Sequence, residues 1–326
     1  MKAVMCEQFG PPEMLAMREV PMPGCGPGNL RIRVHAAGVN FPDTLIVEGK
    51  YQLRPVPPFS PGSEVAGVID AVGEGVSGFA VGDRVLAVLG YGGFAEWVEA
   101  EAACVVAIPD SLDFATAAGF AMAYGTSLHA LRQRGRLAAG ETLLVLGAGG
   151  GVGLAAVELG RVMGAKVIAA ASSPEKLEAA RAAGADSLID LSKEKLRNRL
   201  KELTEGRGVD VVYDPVGGDL FDEALRSLAW KGRLLVIGFA SGRIPQAPAN
   251  LPLLKGADIV GVFWGAFRRH EPEEERRNFD DLFAWHASGA LRPRLDRQLP
   301  LDQAAEALTA LRDRQVTGKI VLTVGG

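Results

Sequence analysis

Residues 142–164 read Thr-Leu-Leu-Val-Leu-Gly-Ala-Gly-Gly-Gly-Val-Gly-Leu-Ala-Ala-Val-Glu-Leu-Gly-Arg-Val-Met-Gly, and no other stretch of the chain restricts its fold as much. The apolar run at 142–146 is short and unbroken, as a parallel strand buried on both faces requires. A helix is expected from the end of the glycine-rich segment through Met163, where Gly164 suits a left-handed C-terminal cap. A strand, a turn of small residues and a helix start, in that order, are built to receive a pyrophosphate. The backbone can approach closely, and its N–H groups and the helix dipole meet negative charge. Gly147, Gly150 and Gly153 follow a Gly-x-x-Gly-x-x-Gly spacing rather than the strict GxGxxG, so the flanking strand and helix carry this reading more than the glycines do.

The same alternation runs on. Strands are expected at 166–171, 186–190, 210–214, 233–237 and 258–262, which with 142–146 makes six strands of a doubly wound parallel sheet. Ser173 and Pro174 read as N-cap and first residue of a helix ending before Gly184, and another helix is expected over 219–229. The first 120 residues differ: short apolar strands at 30–36, 66–72 and 84–88 are separated by Gly and Pro clusters, which suggests a compact, partly barrel-like β domain. The mixed charges of 268–277 read as a solvated helix or loop. The amphipathic pattern at 301–311 and the strand at 319–324 do not extend the parallel sheet, so they are assigned back to the first domain. At 326 residues the chain exceeds one ordinary core. The expectation is an α/β chain with a β-rich domain at 1–121 and 265–326, interrupted by an inserted Rossmann domain at 122–264.

Composition narrows the partners. With 48% hydrophobic and 23% charged residues and a formal net charge of −4, the chain lacks both the broad positive field and the basic runs that attract phosphate backbones or anionic lipid. Neither nucleic acid nor a membrane is expected as partner. The opening Met-Lys-Ala-Val-Met-Cys does not resemble a secretory signal, so a cytosolic location is expected. Cys6, Cys25 and Cys104 are too scattered for a disulfide framework or a metal knuckle.

The end of the second strand bears on the cofactor. An Asp or Glu there would accept hydrogen bonds from the ribose of NAD, but Ala170, Ala171, Ser172 and Ser173 stand in that region with Lys176 one turn later. Hydroxyls and an ammonium suit a 2′-phosphate, which points to NADPH. Ser173 acting only as a helix cap, and Lys176 only facing water, is the alternative.

Several segments together resemble the quinone oxidoreductase, or zeta-crystallin-like, branch of the medium-chain dehydrogenase/reductase superfamily along essentially the whole chain. They are Ala-Gly-Val-Asn-Phe-Pro-Asp (37–43), Pro-Gly-Ser-Glu-Val-Ala-Gly (61–67), Val-Gly-Asp-Arg-Val (81–85), the glycine motif, Tyr-Asp-Pro-Val-Gly-Gly (213–218) and Ile-Gly-Phe-Ala-Ser-Gly (237–242). The resemblance implies a GroES-like catalytic domain around the Rossmann domain, and a homodimer or homotetramer. It also implies Gly149, Gly150, Gly151 and Val152 at the pyrophosphate and Ser172 and Lys176 at the 2′-phosphate. Thr126, Gly238, Phe239, Ala240, Ser241, Val262, Phe263 and Trp264 would lie on the nicotinamide side. One position departs: where the branch often has an aromatic residue beside the adenosine phosphate, this chain has Leu191.

Zinc alcohol dehydrogenases of that superfamily bind the metal through a Cys, a His-Glu pair within Gly-His-Glu, and a third Cys or carboxylate. Here the first position looks like Asn40, the motif has become Gly62-Ser63-Glu64, and the Cys-rich lobe is missing. His35, His129, His270 and His286 form no close pair, so no metal is expected. Without a Lewis acid, hydride acceptors should carry their own electron sink, as quinones and enones do. Asn40 and Tyr51 are the candidates for stabilising the acceptor oxygen; equally, Asn40 orders a loop and Tyr51 packs beside the nicotinamide. Two other functions stay open: an enoyl-thioester (acyl-CoA or acyl-carrier) reductase, which Tyr51 would serve as an acid, and a non-catalytic NADPH-binding protein.

Overall fold

A computed structural model describes residues 1–325. The chain divides into two compact units, Met1–Met122 with the chain from Leu295 onward, and Ala123–Arg294.

Unit 1 holds β1 (Lys2–Met5) and β2 (Ala16–Glu19), an antiparallel pair, and a seven-stranded sheet. That sheet is built from β3 (Asn29–Val39), β4 (Glu64–Val72), β5 (Arg84–Val88), β6 (Trp97–Glu101) and β7 (Val105–Ala107), with β14 (Leu295–Pro300) and β15 (Lys319–Thr323) returning from the far end of the chain. The order is β14-β15-β3-β4-β5-β7, with β6 also on β3. Long β3 is the organiser: it pairs antiparallel with β4, β6 and β15, and the last of these brings Ile320 opposite Val39. Its alternate residues Leu30, Ile32 and Val34 pack with Val65, Ile69, Val85 and Leu322 in one apolar core.

Unit 2 holds β8 (Thr142–Leu146), β9 (Lys166–Ala171), β10 (Ser187–Asp190), β11 (Val209–Asp214), β12 (Leu228–Val236) and β13 (Asp258–Gly261), all parallel, in the order β10-β9-β8-β11-β12-β13. Every residue of β8 is buried, as its uninterrupted apolar sequence requires for a strand covered on both faces. The order reverses between β8 and β11, and at such a switch point the loops at the carboxyl ends of the strands diverge and leave room for a ligand.

The structure corrects the return boundary. Residues 265–294 belong with unit 2, not with the β domain. The helices Trp264–His270 and Pro272–Ala287 pack there through buried Phe267, Phe279 and Leu282. Asn278 accepts hydrogen bonds from Arg132 and Gln133, and Phe267 stacks on His129 at 4.0 Å between centroids. The charged stretch is helical, but Glu275 within it is buried, and burial pushes its carboxyl up to about 6. Helical periodicity hides such positions because charged residues surround them.

Candidate functional site

The glycine motif leaves β8 at the switch point. Gly147 has φ +61, a conformation that costs a residue with a Cβ, and Gly150 then caps the helix Gly151–Val162. A Cβ on Gly153 would run into the carbonyl oxygen of Gly147, so the first turn of the helix lies directly against the turn that precedes it. Gly149, Gly150 and Gly151 leave the approach to the helix start without side chains, with first-turn N–H groups that have no intrahelical acceptor.

At the end of β9, Ser172 is exposed and Ser173 accepts a hydrogen bond from Lys176 N (3.3 Å) at the head of the helix Pro174–Ala182. Ser173 is therefore a cap, as the alternative reading holds. Lys176 does not simply face water: its stem lies against Gly149 and allows no Cβ there. The structure thus brings the pyrophosphate and 2′-phosphate candidates of the sequence into contact. No carboxylate stands at the end of β9, where Ala170 and Ala171 are buried. Leu191 is half-buried against the core of unit 2.

The third cluster forms beyond β11 and β12. Asp214, almost fully buried, accepts hydrogen bonds from Val216 N and Gly217 N (both 2.8 Å), and burial pushes its carboxyl up while those two N–H groups hold it back. Ala240 N then donates to Pro215 O and Ser241 N to Val216 O, which zips residues 238–241 onto 215–217. Sequence reasoning missed Asp214, although an acidic residue ahead of Pro-Val-Gly-Gly at a strand end was the available signal. Val262 N donates to Val236 O (3.1 Å), Phe263 is 62% exposed, and buried Trp264 presses its ring on Gly125, next to Thr126. Thr126 opens the helix Thr126–His129, flanked by two wider π-helical turns, Ala121–Gly125 and Ala130–Arg134.

In unit 1, Asn40 caps the helix Phe41–Val47, its backbone N–H donating to Asp43 Oδ2 (2.8 Å). Its side chain is engaged at both ends: Nδ2 donates to Glu64 Oε1 (2.9 Å), and Oδ1 accepts from Lys319 Nζ (2.6 Å). Lys319 Nζ also donates to Glu64 Oε1 (2.6 Å) and Val39 O (3.1 Å), and Met122 N donates to Glu64 Oε2 (2.8 Å). The second Nδ2 hydrogen has only longer partners, Gly38 O and Ser63 Oγ at 3.4 Å, so the side chain of Asn40 is held mainly by Glu64 and Lys319. Lys319, 255 residues from Glu64, escaped sequence reasoning. Tyr51 is half-buried against the core of unit 1, and burial with the charge of Asp43 raises its phenol above the usual range. Asp43 itself is fully buried and pushed up to about 7, with Ser63 and Lys319 easing the cost of its charge. Among the described residues no three His, Cys, Asp or Glu side chains come together in a group that could hold a metal ion.

Comparison with known proteins agrees with both units. Residues 26–110 match the alcohol dehydrogenase GroES-like domain family and 151–284 the zinc-binding dehydrogenase family. The chain is 40% identical over 324 residues to quinone oxidoreductase-like protein 2 homolog of Nematostella vectensis, covering 98% of this chain and 88% of that one. It is 34% identical to human quinone oxidoreductase, over 99% and 97% of the two chains. The solved structure of Escherichia coli quinone oxidoreductase complexed with NADPH superimposes with a TM-score of 0.91 at 29% identity, covering 99% of this chain and all of that one. The chain belongs to the quinone oxidoreductase branch of the medium-chain dehydrogenase/reductase superfamily.

Proposed function

We propose that the chain is an NADPH-dependent oxidoreductase that reduces quinones or activated α,β-unsaturated carbonyls without zinc. The observation that carries this reading is the joined cofactor site: a helix start approached through glycines, the stem of Lys176 across Gly149, exposed Ser172, and no carboxylate at the end of β9. The relative from Escherichia coli, solved with NADPH, supports the same cofactor. NADPH, when bound, supplies a hydride from its nicotinamide. The chain's own residues bind and orient it: Gly149, Gly150, Gly151 and Val152 at the pyrophosphate, and Ser172 and Lys176 at the 2′-phosphate. Thr126, Gly238, Phe239, Ala240, Ser241, Val262, Phe263 and Trp264 are assigned to the nicotinamide side.

The raised phenol of Tyr51 stays protonated at neutral pH and suits hydrogen-bond donation to an acceptor oxygen as charge arrives there. Zinc independence is favoured by the Lys319 ammonium, which already meets Asn40 Oδ1 and Glu64 Oε1. A donor set that serves one cation is poorly placed to take a divalent one. The reading extends to a cytosolic, self-associating protein, a homodimer or homotetramer. None of the three cysteines is in a disulfide, and no helix among the described residues is long and apolar enough to cross a membrane. Strand β13 is an open sheet edge with Ile259 partly exposed, and Trp230 nearby on β12 is 69% exposed; such an edge offers main-chain pairing to a second copy. Light scattering that found one chain per particle at every concentration would reject self-association.

The deciding experiment follows NADPH oxidation with a quinone panel, an enone panel and crotonyl-CoA, with elemental analysis of protein purified without added zinc. Turnover with quinones or enones and zinc far below one equivalent is the expected result. Preference for crotonyl-CoA would favour an enoyl-thioester reductase, and saturable NADPH binding without turnover a binding module.

A further inference from the structure

Glu158 is the one charged residue facing the interior from the helix Gly151–Val162, surrounded by buried Leu154, Ala155, Val157 and Leu159. Its carboxylate accepts a hydrogen bond from Tyr124 Oη (2.6 Å) and is shared by Arg292 N at 3.2 Å from each oxygen. A buried carboxylate is costly, and an apolar residue of like size would pack this face at less expense. What the carboxylate adds is direction, because both donors come from distant segments and each must meet an oxygen at a set place. Tyr124 lies in the π-helical turn Ala121–Gly125, immediately before Thr126. On the other side of Thr126, Ser127 Oγ donates to Val152 O (3.0 Å) and lies 2.8 Å from Tyr213 Oη. Thr126 is thus bracketed by two polar ties to one helix: Ser127 to its first turn at Val152, and Tyr124 to its third at Glu158. π-Helical turns recur where a helix bends its winding to present a particular side chain.

We propose that Glu158 is a positioning residue: acting through Tyr124, it fixes the turn carrying Thr126 against the helix whose start receives the pyrophosphate, and so sets where the nicotinamide half of the cofactor lies. This rests on the NADPH reading above. The adenosine half is held at Ser172 and Lys176, away from this tie, so the two halves of the ligand should respond differently when it is cut.

The test compares the full-length wild type with Glu158→Ala, Glu158→Gln and Tyr124→Phe, titrated with NADPH and with adenosine 2′,5′-bisphosphate, which carries the adenosine half alone. Glu158→Ala, which removes both hydrogen bonds, and Tyr124→Phe, which removes only that of Tyr124, should each weaken NADPH about tenfold, because the turn carrying Thr126 must then be ordered on binding, while the bisphosphate changes less than about twofold. Glu158→Gln, which keeps an acceptor oxygen for one donor, should restore most of the NADPH affinity. Tyr124→Phe keeps the ring and its packing, so it carries the test alone if Glu158→Ala does not fold. Parallel losses for both ligands, or none for either, with normal wild-type binding would overturn the role of Glu158. Wild-type protein that bound neither ligand would overturn the NADPH reading with it.

Discussion

The stem of Lys176 lies so close over Gly149 that no side chain fits between them. One contact therefore joins the loop assigned to the pyrophosphate with the ammonium assigned to the 2′-phosphate. Lys176→Ala combined with Ser172→Ala should lower NADPH affinity at least about tenfold, since each lost phosphate hydrogen bond involves a charge, and should leave NADH nearly unchanged. Gly149→Ala, by displacing the same stem, should narrow the NADPH-to-NADH preference in the same direction. Paired titrations with the two nucleotides decide it, and equal losses for both would remove the phosphate assignment.

Lys319 and Glu64 form an ion pair with side-chain exposures of 9% and 1%. Lys319→Met leaves a buried carboxylate without its cation and should destabilise the protein by about 3–5 kcal/mol. Adding Glu64→Gln removes the stranded charge and should recover part of that loss. Urea unfolding of the two variants tests this, and a double variant as unstable as Lys319→Met would show that the stranded charge of Glu64 is not the source of the loss.

Asp43, pushed up to about 7 by burial, has its charged form disfavoured only in the folded chain. The folded state therefore holds this proton across a pH range in which the unfolded chain has released it. Its contribution is fully present below about pH 4 and is lost as pH rises through about 7, at up to about 1.4 kcal/mol per pH unit. Asp43→Asn removes that dependence and still offers an oxygen to Asn40 N. Unfolding free energies of the two proteins between pH 5 and pH 8, on the order of the range spanned by that loss, should diverge in the variant's favour as pH rises; parallel profiles would refute it.

Gly150 and Gly153 should separate stability from binding. A Cβ on Gly153 meets backbone, which cannot swing aside, so Gly153→Ala should cost on the order of 1–3 kcal/mol. A Cβ on Gly150 meets nothing nearer than the Gly147 carbonyl oxygen at 3.6 Å. Gly150→Ala should keep its melting temperature and lose NADPH affinity, because the new methyl group points where a pyrophosphate would approach. Thermal scans with and without NADPH distinguish the two.

Much of this architecture was legible from local pattern. The apolar run Leu143–Leu146 of β8, the cap at Ser173 and the glycines at 147–153 each act within a few residues of themselves, and the parallel sheet followed from their repetition. What stayed hidden depends on distance along the chain. Lys319 sits in an unremarkable Thr-Gly-Lys and gains its meaning only when β15 pairs with β3. Glu158 sits where the helix pattern calls for an apolar residue, yet its donors lie 34 and 134 positions away. Residues 268–277 read as a solvated helix or loop because charges dominate them, while Phe267 and Phe279, which help seat the two helices on unit 2, lie just outside that run.

The wide turn at Ala121–Gly125 has a consequence for how this helix tolerates change in length. A π-helical turn holds one residue more than an ordinary turn, so its winding stores a single surplus position upstream of Thr126. Deleting one alanine there would let the turn tighten to regular pitch and re-aim the residues inside it, Tyr124 among them, while Ser127 and Leu128 kept their seats. Short indels in this stretch are thus a route by which an ancestor could re-aim one side chain without rebuilding the apolar stripe that follows.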